Sequence, residues 1–166
     1  MLNKNSKIEL LFVGPVFYDY HSVIISKLVK FGVHVIFFPE TKWEVLQAIV
    51  NTLFPSLIEK LQKVYYHLLW LKIRNKNFSH FLLIHGDHFP SFFIDKLKNK
   101  NKNIETIMYQ WDSNKNGPYF HLIDLFSKTF TFDIEDYLSN KKINFLQLFY
   151  TDDICSINTK STSILY

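Results

Sequence analysis

The sequence predicts an α/β fold: a Rossmann-like, doubly wound, mostly parallel sheet of six strands. Three observations carry that expectation. Six short apolar runs recur along the chain: Ile8 to Val13, Val33 to Phe38, Phe81 to Ile84, Ile104 to Tyr109, Thr129 to Phe132 and Asn144 to Phe149. Segments of helical period separate them. The runs stop abruptly at turn formers or polar groups, as at Gly14-Pro15, His85-Gly86-Asp87-His88 and Gln110-Trp111-Asp112-Ser113.

Each element has its own warrant. After the first strand, Tyr18 to Phe31 reads as a helix with Val23, Ile24, Leu28 and Phe31 on one face, Asp19 as its N-cap and Gly32 as its stop. The second strand lacks polar alternation beyond His34, which predicts cover on both faces. Strand, helix, strand with so short a return is the start of a parallel, right-handed βαβ unit. Pro39 ends the second strand, and Thr41 can cap a helix that begins near Trp43. The segment Trp43 to Ile73 is helical in pattern, but Pro55 interrupts it, because proline lacks a backbone donor and crowds the preceding turn. Two helices are expected, Trp43 to Phe54 and Ser56 to Arg74, the second burying Leu57, Leu61, Val64, Leu68 and Leu71. Pro90 opens a short helix to Lys98. Tyr119 to Phe126 and Asp133 to Leu138 are two more, the last with carboxylates at its start, where the helix dipole favours them.

The totals exclude several classes. The 166 residues suit one domain or one lobe, and 48% apolar content is ample for a core. The lone Cys155 rules out an internal disulfide and any zinc ribbon, in keeping with a reducing cytoplasm. Net charge is +4, a mild bias towards anionic partners, and Lys96, Lys98, Lys100 and Lys102 read as a solvated helix end. The polar start, Met1 to Lys7, is unlike a secretion signal. No stretch reaches the ~18 uninterrupted apolar residues of a membrane span; the richest, Val64 to Ile73, is broken by His67 and Lys72.

Chemistry is expected at the strand ends, since ligands of open α/β sheets bind outside the carboxyl ends of the strands. Gly14-Pro15 is no phosphate loop: the further glycines are missing and Pro15 has no N–H. His21, near the start of the first helix, is either a general base at the rim or a histidine making one structural bond. His85, Asp87 and His88 could bind substrate, move a proton or ligate a metal, or could be structural; His80 belongs at the opposite end of its strand. Trp111, Asp112 and Ser113 offer an aromatic face, an acceptor and a hydroxyl, a set that suits a sugar; packing and turn capping is the alternative. Asp133 reads as an N-cap, with Tyr150 and Asp152 similar.

The succession Leu-Phe-Val-Gly-Pro, Tyr-His, Ile-His-Gly-Asp, Tyr-Gln-Trp-Asp-Ser, Phe-Thr-Phe-Asp-Ile-Glu-Asp and Leu-Gln-Leu-Phe-Tyr resembles the N-terminal lobe of bacterial GT-B-type glycosyltransferases. The relevant class makes lipopolysaccharide and capsule and is related to spore-maturation enzymes. The resemblance covers residues 8 to 150. It implies an acceptor-binding lobe over 1–150 and a linker over 151–166 leading to a C-terminal lobe that holds a nucleotide-sugar as co-substrate. On this reading His21 and Asp112 are catalytic, and His85, Asp87, His88, Trp111, Ser113 and Tyr150 bind a glycan or lipid-linked acceptor. Neither a metal nor a resident cofactor is implied, nor any nucleic acid. The expected place is the cytoplasm, with peripheral contact to the inner membrane. The alternatives are a non-catalytic binding module or truncated remnant and, last, a metal-dependent hydrolase using His85, Asp87 and His88.

Overall fold

The computed structural model describes residues 7–41, 55–86 and 89–148. The chain runs β1 (Glu9–Gly14), α1 (Tyr20–Lys30), β2 (His34–Pro39), α2 (Pro55–Ile73), β3 (His80–Ile84), α3 (Ser91–Lys100), β4 (Glu105–Gln110), a 3-10 helix (Phe120–Leu125), β5 (Lys128–Thr131), α4 (Ile134–Ser139) and β6 (Ile143–Phe145). The six strands form one sheet in the order β2-β1-β3-β4-β5-β6, and every pairing is parallel. The Rossmann-like architecture expected from the sequence is present. No helix of the described residues is long and apolar enough to cross a membrane.

The order has one reversal. From β1 the chain steps outwards to β2, then returns past β1 to β3 and continues the other way. Right-handed crossovers in opposite directions must lie on opposite faces. The side chains obey this. Leu10 and Phe12 of β1 pack with Ile24, Ile25 and Leu28 of α1. Leu11 and Val13, pointing the other way, pack into the larger core with α2 and α3. That core is aromatic: Phe81, Phe89, Phe93 and Phe126 meet ring to ring, and Tyr66 closes over Phe89 and Phe93. β2 is an edge strand, so its residues are only half-buried, although Ile36 and Phe38 face one cluster and Val35 and Phe37 the other.

Several expectations change. Phe31 is not on the buried face of α1; it is 84% exposed, because the helix ends at Lys30, and Ile25 takes its place against the sheet. Gly32 makes the stop, at φ 81. Asp19 occupies the N-cap position at φ 57 but its side chain caps nothing; its carbonyl accepts from Ser22 and Val23 instead. Pro39 does end β2, as its last residue. β6 is only Ile143–Phe145, the length that pairs with Thr129 to Thr131. Asp133 does cap α4, its carboxylate accepting from Asp136 N at 3.0 Å. The expected helix Trp43 to Phe54, Phe149 and the linker 151–166 lie outside the described residues.

The largest correction concerns α2. Leu57, Leu61, Val64, Leu68 and Leu71 are all exposed. The buried face is Ile58, Gln62, Tyr65, Tyr66, Leu69 and Ile73. The helix has two apolar faces, and the one with the larger aromatic volume fills the space above β1 and β3.

Neighbouring leucines on α2 separate the two orientations. Leu69 is 2% exposed and Leu68 is 55% exposed. Leu69→Ala is expected to cost about 2–5 kcal/mol in urea unfolding. Leu68→Ala should stay within about 0.5 kcal/mol of the parent. The reverse ranking would place the other face in the core.

Candidate binding and proton-transfer site

Three strands deliver the site to one rim of the sheet. Glu40 follows β2, His85 follows β3, and Asp112 follows β4 after Trp111. The sheet order reverses between β1 and β3, so their carboxyl ends flank the crevice where such folds take ligands. His85 stands there.

Glu40 is the anchor. Its backbone N–H donates to Gly14 O at 2.8 Å, extending the β1–β2 ladder by one residue. Gln62 Nε2 donates to Glu40 O at 3.2 Å, and the Tyr65 hydroxyl to Pro39 O at 2.6 Å. The carboxylate then receives two donors. His85 Nδ1 lies 2.9 Å from Oε2, and Gly86 N–H donates to Oε1 at 3.0 Å. Both donors reach one carboxylate because the chain turns sharply: His85 has φ 74 and Gly86 φ 87. A left-handed conformation costs a non-glycine residue about 1–2 kcal/mol, so His85 is held there against its preference. Gly86 has no such latitude, since a Cβ would sit 2.8 Å from Leu83 Cδ2.

On its outer side, His85 Nε2 lies 3.2 Å from Asp112 Oδ2. Side-chain exposure rises along the line, from 7% at Glu40 to 28% at His85 and 50% at Asp112. The buried end is the fixed end, and the exposed end is the one a ligand can touch. The Nε2–Oδ2 contact is an ion pair when the ring is protonated. The ring engages its two carboxylates from opposite nitrogens, so the three groups do not converge on one point. Among the described residues no cluster of His, Cys, Asp and Glu could hold a metal ion.

The Asp112 loop is fixed from below. Asn114 N–H donates to Asp136 Oδ2 at 2.6 Å, and the Tyr119 hydroxyl donates to the same oxygen at 3.0 Å. Asn114 Oδ1 accepts from Tyr119 N and Phe120 N. Burial, chiefly, pushes the Tyr119 hydroxyl well above the usual tyrosine range. Trp111 is half-buried beside the site, edge-on to Tyr20 at 6.0 Å and to Tyr109 at 6.3 Å. Ser113 shapes the loop through its carbonyl, which accepts from Asn116 and Gly117.

Of the residues expected at the site, the structure brings together His85, Trp111, Asp112 and Ser113. His21 lies on the first turn of α1 with its ring stacked on Phe37 at 5.0 Å. Its Nε2 is 3.3 Å from Ser22 Oγ, and its Nδ1 is buried without a partner among the described residues. No contact joins it to Glu40, His85 or Asp112. Asp87, His88 and Tyr150 lie outside the described residues. Glu40 is the residue of this cluster that the sequence did not single out. The same strand-end rule would have found it, since it follows Pro39 directly at the end of a predicted strand. Comparison with protein-family models, with curated proteins and with solved structures finds no match to this chain.

Two outcomes test this geometry. Glu40→Ala leaves two inward donors without an acceptor and should lower stability by about 1–3 kcal/mol in denaturant titration. Glu40→Gln should fall between it and the parent, because an amide accepts only one of the two donors. Separately, burial pushes the Tyr65 hydroxyl up to about 12. The unfolded chain releases that proton near the ordinary value of 10.0, the folded chain later. This contribution to stability is therefore full below pH 10 and lost as pH rises to about 12. Melting temperatures across that range should fall less steeply in Tyr65→Phe.

Proposed function

We propose that this chain is the acceptor-binding lobe of a glycosyltransferase. It would present a hydroxyl of a surface glycan or lipopolysaccharide acceptor for attack on a nucleotide-sugar held elsewhere. The observation that carries the reading is the Glu40–His85–Asp112 line at the sheet's switch point. A base oriented by a histidine, which is itself oriented by a buried carboxylate, follows the logic of general-base activation. Asp112 Oδ2 is tied to His85, which leaves its second oxygen to accept the acceptor's proton. The acceptor oxygen then bonds to the anomeric carbon as that carbon's bond to the nucleotide phosphate breaks.

The local charge supports an uncharged, hydroxyl-rich ligand over a phosphate. Glu40, Asp112 and Asp133 follow three strands at this end of the sheet, and Asp19 stands before α1. Pro15, after β1, offers no N–H to an anion. Trp111 adds an aromatic face beside the carboxylate. The same lack of a phosphate cradle favours, as a second reading, a module that binds glycans without turning them over.

A glycan array probed with the full chain tests the proposal. Retention of a defined set of glycans is expected, with affinity falling by about tenfold or more, ~1.4 kcal/mol, in Asp112→Asn while the melting temperature holds, and in Trp111→Ala, which also gives up its packing on Tyr20 and Tyr109. No retained glycan, or retention indifferent to both changes, would remove the reading. Retention with no transfer from any nucleotide-sugar, even when the donor-binding part is supplied, would leave the binding module.

A further inference from the structure

Between β4 and the 3-10 helix, residues 111–119 form no strand or helix, yet they carry Asp112. The structure holds them from two directions. The Asp112 side chain meets His85 Nε2 at 3.2 Å. Two residues on, Asn114 N–H donates to Asp136 Oδ2 of α4 at 2.6 Å, across 22 positions of sequence. The turn that follows is tight. Ser113 O accepts from Asn116 N and Gly117 N, each at 3.0 Å, and a Cβ on Gly117 would lie 3.9 Å from Asp112 Cβ. The bracket then closes on itself. Asn114 Oδ1 accepts from Tyr119 N at 2.9 Å and Phe120 N at 3.1 Å, and the Tyr119 hydroxyl returns to the same Asp136 oxygen at 3.0 Å.

Asp136 is 8% exposed. A carboxylate at that depth is costly unless donors meet it. Its own helix does not require it, because Asp133 already caps α4 by accepting from Asp136 N. Among the described residues, both donors to the Asp136 side chain come from the Asp112 loop and the residue that ends it. We infer that Asp136 is a positioning residue for the rim: by gathering Asn114 N–H and the Tyr119 hydroxyl on one oxygen, it fixes the loop so that Asp112 meets His85 with one oxygen and a ligand with the other. The ligand-facing half of this inference rests on the glycan reading above; the half that faces His85 does not. α4 thereby belongs to the site, although Asp136 acts only through Asp112.

The test is an NMR pH titration of the His85 ring in the full chain without glycan, which reports how near the Asp112 charge stands. Asp112→Asn should lower the midpoint by roughly half a pH unit or more, since the imidazolium loses a carboxylate. Asp136→Ala should lower it too. Removing a negative charge lowers it even without moving the loop, so the double variant decides. With Asp112 already replaced, Asp136→Ala should cause little further fall. Asn114→Ala opens the same bracket without removing a charge. It should act in the same direction, again only while Asp112 is present, and it stands in where Asp136→Ala does not fold. A fall equally large in both backgrounds, or a midpoint that neither change moves, would overturn the assignment. So would an Asp112→Asn chain that titrates like the parent. Glycan affinity should follow the same non-additive pattern, falling by about tenfold in Asp136→Ala. No glycan bound to the parent, with the titrations as expected, would remove the glycan reading and keep Asp136 in its role.

Discussion

The handedness of the strand–helix–strand crossover is the constraint on which the rest of this structure depends. Because the chain leaves β1 in one direction and later returns past it in the other, α1 must lie on one face and α2 and α3 on the opposite one. This splits the core into a small cluster under α1 and a large aromatic one. It also parts the connections at the carboxyl ends of β1 and β3. Gly14 keeps that gap narrow: a Cβ there would meet the Phe12 ring at 2.9 Å and Ile84 Cβ at 3.3 Å. The site is thus a consequence of topology before it is a matter of particular side chains.

What topology opens, Glu40 fills and fixes. A carboxylate at 7% exposure is costly unless it is paired. Its two donors come from residues in the left-handed region, where His85 would not go unaided. Each side therefore needs the other. The charge needs the turned backbone to bring Nδ1 and Gly86 N–H together, and the turned backbone needs the charge to hold it. Strain maintained in this way is characteristic of residues whose direction matters more than their comfort. Here the direction gained is that of Nε2, aimed outwards at Asp112.

The strands were legible because each is a compact apolar run bounded by turn formers, and parallel order followed from the helices between them. The rim was legible in part for the same reason: His85 and Asp112 stand immediately after such runs. Two things were not. The buried face of α2 was misread because the periodic pattern picks out both of its apolar faces, and leucine spacing favours the wrong one. Tyr65 and Tyr66 carry hydroxyls and score as less apolar, yet their volume is what the space over β1 and β3 requires. Glu40 was overlooked because its partner is 45 residues away and separated from it by β1 in the sheet. Its place after Pro39 marks it as a strand-end residue, but no local spacing records its meeting with His85.

Net charge misleads about the site for a related reason. The chain is +4, yet Glu40, Asp112 and Asp133 follow strands at the carboxyl rim. Helices of a parallel sheet all end at its amino edge, and cations are favoured in their last turns. Lys27 and Lys30 occupy the last turn of α1, Lys72 that of α2, and Lys98 and Lys100 that of α3. α4 shows the converse, with Asp133 capping its start at the rim and Glu135 and Asp136 in its first turn. The helix dipoles thus favour these five lysines at the amino edge, away from the crevice, while Lys115 stands in the loop after Asp112.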